Sequence, residues 1–146
     1  MATFTFRLEQ VLRYRVQLED EAKQRLAEAT QIRDAIRARI AEIDCEMIRA
    51  REVLHRFAEM SEGERYVAQT YEASLRAERK TALVRLRQQD ALVEECRVEL
   101  TAKAQERSLL EKLKEKQAAR HAKEELLHEQ HTNDETATLR FNATTF

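Results

Sequence analysis

Residues 8–57 read LEQVLRYRVQLEDEAKQRLAEATQIRDAIRARIAEIDCEMIRAREVLHRF, and apolar side chains recur here with the seven-residue period of a coiled coil. One core position of the repeat holds Leu12, Leu26, Ile40, Met47 and Leu54, and the other holds Leu8, Ala22, Ala29, Ile36, Ile43, Ala50 and Phe57. Only Arg15, Glu19 and Arg33 interrupt this seam. Because so narrow an apolar stripe leaves one helix face open to water, a second helix must cover it.

The composition supports long helices rather than a globular core. The 146 residues contain no proline and one glycine, and 36% of them are charged. The 26 basic and 27 acidic side chains are intermixed, which argues against nucleic acid or a membrane surface as the partner. No apolar run of membrane-spanning length and no signal-peptide core occurs, so we expect a cytosolic protein with reduced Cys45 and Cys96.

The middle of the chain carries one break signal, the segment Ser61-Glu62-Gly63-Glu64. Its Ser-x-x-Glu pattern is a capping box that could start a second helix. We therefore predict an all-α fold, a long antiparallel two-helix coiled coil (helical hairpin) with a C-terminal extension, as a single domain over 1–146. The expected parts are arm one at 6–60 with Thr5 as its N-cap, a turn at 61–64, arm two at 65–131 and a flexible tail at 132–146.

The second arm has its own apolar seam, which we place at Tyr71, Leu75, Ala82, Leu86, Val93, Cys96, Leu100 and Leu110. Polar gaps fall at Arg79, Gln89, Lys103 and Arg107. Equal rise in both arms puts residue i opposite roughly residue 125 − i, so Ile36 should face Gln89. Past roughly residue 117 the second arm should have no partner in the first.

No pattern in the chain predicts catalysis, a cofactor or a small-molecule substrate. One glycine cannot build a phosphate-binding loop, and two helices form no deep pocket. His121, Glu124, His128 and His131 have helical spacing, but one helix face supplies too few ligands for a metal, so we predict a solvated polar face. The register separates Cys45 and Cys96 too far for a disulfide, and we interpret both as small core residues.

Three segments resemble the family of the bacterial flagellar export protein FliJ. They are FRLEQVLRYR at 6–15, LLEKLKEKQ at 109–117, and the closing residues Glu129-Gln130, Asp134-Glu135 and Arg140-Phe141. The resemblance implies a central stalk that binds the hexameric flagellar export ATPase and promotes its ring formation. It also implies contacts with the cytoplasmic tail of the membrane export gate and with export chaperones, in the cytoplasm at the inner-membrane export apparatus.

The resemblance also implies two sets of contact residues. The ATPase-facing set comprises Phe6, Arg7, Leu8, Val11, Leu12, Leu110, Leu113, Lys114 and Gln117. The gate-facing set comprises Ile48, Arg51, Leu54, Tyr71 and Leu75. For the apolar members of both sets, packing between the two arms is the competing explanation.

Other functions stay open at the level of sequence. One is a generic structural coiled coil, such as a parallel dimer of unbroken helices, since Gly63 would cost only about 1 kcal/mol inside a helix. Another is the stalk protein of a virulence type III secretion system. A third is an escort chaperone that binds export substrates without the ATPase.

Overall fold

A computed structural model describes residues 2–56 and 59–144, and these form two helices without any strand. Helix α1 spans Glu9–Arg56 and helix α2 spans Glu62–Thr144. The helices pack against each other in antiparallel order, which confirms the predicted all-α helical hairpin and argues against one unbroken helix per chain. Phe57, a predicted seam residue, lies outside the described residues.

The chain divides into two compact units, one formed by Met1–Glu19 with Ala102–Phe146 and the other by Asp20–Thr101. Each unit contains cross-helix ion pairs that report its register. Lys114 pairs with Glu9 at 2.8 Å in the first unit, and Arg25 pairs with Glu99 at 2.8 Å in the second. Both pairs lie within about two residues of the predicted register. Side chains of this length reach diagonally across a helix pair, so an offset of this size agrees with that register. The single domain over 1–146 stays a prediction.

The unit Asp20–Thr101 is held together by the predicted seam of α1. Ile43 is completely buried. It clusters with Met47 and Ala50 of the same helix and with Leu75 of α2. Further along α2, Gln89 fills a polar gap by donating a hydrogen bond from Nε2 to the backbone oxygen of Ala29 at 3.0 Å. Ile36 was predicted to face Gln89, and Ala29 lies one heptad before Ile36. The small side chain of Ala29 leaves its backbone oxygen within reach of Gln89.

The unit formed by Met1–Glu19 and Ala102–Phe146 combines apolar and ionic contacts. Phe6 and Leu12 are buried. Glu19, which interrupts the α1 seam, is only 6% exposed and forms an ion pair with Arg107 of α2. The polar residue that interrupts the α1 seam therefore faces a polar gap in the α2 seam. This pairing is favourable because a buried carboxylate needs a charged partner.

Helix α2 begins earlier than predicted. Ser61 caps it, since its Oγ accepts a hydrogen bond from the backbone N–H of Glu64 at 3.2 Å, as in the capping box. Gly63 lies within the first turn of α2, and no described glycine has a positive φ. The segment predicted as the turn is therefore mostly helical, and the connection lies before Glu62.

Helix α2 also ends later than predicted, because it continues through Thr132-Asn133-Asp134 to Thr144. The hydroxyls of Thr132, Thr136, Thr138 and Thr144 donate to backbone oxygens four residues earlier, at 2.6–2.9 Å. This arrangement satisfies each hydroxyl within the helix, and the segment contains no proline or glycine to end it.

The structure corrects three predictions about individual positions. Tyr71 is half exposed, and its neighbour Glu72 occupies the seam with a side chain that is 12% exposed. Cys45 is exposed rather than in the core, whereas Cys96 is half-buried. Thr5 is not the residue that caps α1, which begins at Glu9 after a turn closed by the N–H of Glu9 and the backbone oxygen of Phe6.

Candidate partner-binding surfaces

The first candidate surface lies in the unit that contains both chain ends, and we call it the terminal surface. Its residues are the exposed members of the ATPase-facing set: Arg7, Leu8, Val11, Leu113 and Gln117. Two separate sequence segments contribute to it because α1 and α2 run side by side here, as the Lys114–Glu9 ion pair shows. Exposed aliphatic groups beside a guanidinium and an amide can contact a protein partner through both apolar packing and hydrogen bonds.

The other members of that set are less available to a partner. Phe6 and Leu12 are buried, and Leu110 is half-buried between the helices. The ammonium of Lys114 is already neutralised by the carboxylate of Glu9 at 2.8 Å. These four residues therefore support the terminal surface from within rather than forming it.

Two exposed residues of the same unit lie outside the ATPase-facing set. Tyr14 is exposed on α1, and Leu109 is exposed on α2. Both lie off the heptad seams, and a large apolar side chain at a solvent-facing position is the signal that identifies them.

The second candidate surface lies in the unit Asp20–Thr101, and we call it the basic groove. It is lined by Asp44, Met47, Ile48, Arg51, Arg76, Arg79, Lys80 and Leu83. Ile48 is 58% exposed at this groove, so an apolar anchor lies among four basic side chains. Arg79 Nε donates to Asp44 Oδ1 at 2.6 Å, which leaves the groove with an excess of positive charge.

Glu72 holds two of the guanidiniums at the edge of the basic groove. Its Oε1 accepts from Arg76 Nη2 at 2.8 Å and from Arg51 Nε at 3.1 Å. The hydrogen bond from Arg76, and to a lesser extent the one from Arg51, lowers the pKa of the Glu72 carboxyl below its ordinary value. The carboxylate therefore stays ionised and orients both arginines at neutral pH.

The gate-facing set does not form one continuous surface. Tyr71 lines a different groove, which we call the tyrosine groove, with Glu46, Arg49, Ala50, Val53 and Ala68. Its hydroxyl lies 3.5 Å from Glu46 Oε2. Leu75 is buried in the core cluster and Leu54 is half-buried, so Ile48 and Arg51 are the members of this set that line the basic groove.

Within 2–56 and 59–144 no group of three or more His, Cys, Asp or Glu side chains could hold a metal ion. His121 instead lies beside Glu125, with 3.8 Å between Nε2 and Oε1, and its ring contacts Phe4. Neither of the two described helices contains an apolar stretch of the length that a membrane span needs.

The sequence profile of the family described as Flagellar FliJ protein matches residues 4–145. No curated protein and no solved structure matches the chain. The profile match includes both segments of the terminal surface, the basic groove and all of α2. The chain therefore belongs to the flagellar FliJ family, whose members are non-catalytic components of flagellar protein export.

Proposed function

We propose that this protein is the non-enzymatic central stalk of a flagellar type III protein export machine. It binds the hexameric export ATPase, promotes assembly and activity of the ring, and links the ring to the export gate and to export chaperones. The observation that carries this proposal is the family match over residues 4–145 of a chain folded as a two-helix hairpin. The protein acts in the cytoplasm and associates peripherally with the inner-membrane export apparatus.

The terminal surface is the proposed contact with the ATPase. Leu8, Val11 and Leu113 expose aliphatic area there, and burying such area is the main favourable term in protein association. Tyr14 and Leu109 extend the apolar area available in the same unit.

The basic groove is the proposed contact with the export gate. Ile48 supplies an apolar anchor, and Arg51, which Glu72 holds in place, supplies a charged group beside it. Such a pairing favours a partner segment that carries both an apolar and an acidic side chain.

The test is the turnover of the flagellar export ATPase with stoichiometric addition of this protein. The wild-type chain should raise the rate and increase the hexamer fraction, and Val11→Asp should remove most of the increase because it places a charge in the apolar contact. Val98→Asp is the matched control, since Val98 is 63% exposed on α2 and lies outside both proposed surfaces. An unchanged ATPase rate with proven binding of the wild-type chain would contradict the proposal.

A further inference from the structure

Basic side chains are concentrated in one part of α2, although the charges of the whole chain nearly balance. Residues 76–87 contain five basic side chains and one acidic side chain. Three of the basic ones, Arg76, Arg79 and Lys80, line the basic groove together with Arg51 of α1. Lys80 is exposed and forms no ion pair with any residue that the structure describes. The groove therefore offers positive charge to an anionic occupant.

Acidic side chains are concentrated further along α2, in residues 124–135, which we call the acidic segment. It contains five carboxylates and no lysine or arginine. Leu126 and Leu127 lie among these carboxylates, and their side chains are 67% and 59% exposed. Together with Glu129 and Asp134 they border one concavity on the surface of the helix. Apolar and acidic side chains of the acidic segment thus share a face.

The basic groove and the acidic segment match in length and in chemistry. On α1 the groove extends from Asp44 to Arg51, which is two helical turns or about 10 Å. Leu127 and Asp134 have the same separation along α2. The exposed Ile48 of the groove offers an apolar contact to Leu127, and the basic side chains beside it complement the carboxylates. A groove between two packed helices can hold such an amphipathic third helix.

We propose that the basic groove binds the acidic segment of a second copy of this chain. The contact joins two different surfaces, so it is head-to-tail rather than symmetric. It covers about two helical turns, which is less than the interface of a stable dimer, so association should be weak and reversible.

This inference does not rest on the proposed function, since neither the ATPase nor the export gate takes part in the contact. The proposed gate contact uses the same groove, so self-association and gate binding should exclude each other.

The first experiment measures self-association of the full chain by sedimentation velocity, with a reducing agent that keeps the exposed Cys45 from forming a disulfide between copies. The weight-average sedimentation coefficient should rise with protein concentration at about 50 mM salt. The rise should be much smaller at about 500 mM salt, because salt screens exposed charges. A chain that stays monomeric, or one whose association does not weaken with salt, would overturn the proposal and leave the groove to a different protein.

The second experiment identifies the two surfaces by charge reversal. Lys80→Glu and Glu129→Lys should each weaken self-association at least about tenfold, because each places like charges opposite each other. A chain that carries both substitutions should recover most of the association, because opposite charges face each other again. Lys116→Glu and Glu115→Lys are the matched controls, since they reverse exposed charges of α2 outside both surfaces.

An equimolar mixture of the two single variants tests the head-to-tail direction. Glu129→Lys retains an intact groove and Lys80→Glu retains an intact acidic segment, so the mixture should associate although each variant alone stays monomeric. Association that neither single variant weakens, or a mixture that stays monomeric, would overturn the proposal.

Discussion

At the scale of single residues, the ion pair between Glu19 and Arg107 replaces an apolar contact in the seam. Arg107 also donates to Glu111. The hydrogen bond to Glu111, and after it the one to Glu19, raises the pKa of Arg107, so the guanidinium stays charged. Glu19→Ala should lower the free energy of unfolding by about 1–3 kcal/mol, because it leaves a partly buried cation with one partner fewer. Urea denaturation followed by circular dichroism measures the change.

A matched control and a double variant make this prediction specific. Glu94 pairs with Arg97 on the same helix at 3.7 Å and is exposed, so Glu94→Ala should change stability by less than about 0.5 kcal/mol. Replacing both Glu19 and Arg107 by leucine should recover the stability lost in Glu19→Ala, since it removes the buried charges together. A double variant less stable than Glu19→Ala would contradict this account.

Glu72 should make the hairpin sensitive to acid. Because Arg76 and Arg51 lower the pKa of its carboxyl in the folded chain, its contribution to stability is present above the unfolded value of about 4.3 and is lost as the pH falls through the lowered value. Glu72→Gln should lower the Tm at neutral pH and flatten the decline between about pH 6 and pH 3. Parallel Tm curves for the wild type and Glu72→Gln would contradict the assignment.

At the scale of the helices, the start of α2 combines a good cap with a poor helix former. Gly63 is helical, and a Cβ at this position would meet no atom within 4 Å. Gly63→Ala should therefore raise the free energy of unfolding by about 0.5–1 kcal/mol, because alanine loses less backbone entropy. Ser61→Ala should lower it by about 1 kcal/mol through loss of the cap. Thermal unfolding of the two variants measures both changes.

The heptad pattern predicted the helix pairing because burial of α1 follows it closely, from Leu12 to Ala50. The pattern failed at Tyr71, where the adjacent Glu72 occupies the seam instead. Periodicity alone does not tell which of two adjacent residues faces the other helix, and here ion pairs with Arg51 and Arg76 hold Glu72 in the seam. The sequence also placed the end of α2 too early, at residue 131 rather than Thr144. The threonines of this segment do not decide between the two, because a threonine hydroxyl can bond to the backbone either within a helix or in a turn. The contact between the rings of Phe4 and His121 could not be predicted, since Phe4 precedes the repeat.

At the scale of the whole molecule, the two proposed surfaces belong to different compact units. The terminal surface draws on Met1–Glu19 and Ala102–Phe146, and the basic groove belongs to Asp20–Thr101. Val11 and Ile48 are both exposed, so a charge at either position should leave the Tm nearly unchanged. Each substitution then tests one surface without disturbing the packing of the helices.

We expect the two contacts to be separable by mutation. Ile48→Asp should weaken binding to the cytoplasmic tail of the export gate at least about tenfold, a loss of about 1.4 kcal/mol, and leave stimulation of the ATPase intact. Val11→Asp should do the reverse, and the double variant should show both losses without a further one, because the residues share no partner. Binding assays with each partner alone measure the two effects. If Ile48→Asp also abolished ATPase stimulation while retaining its Tm, one surface would serve both partners, and the assignment of the basic groove to the gate would be wrong.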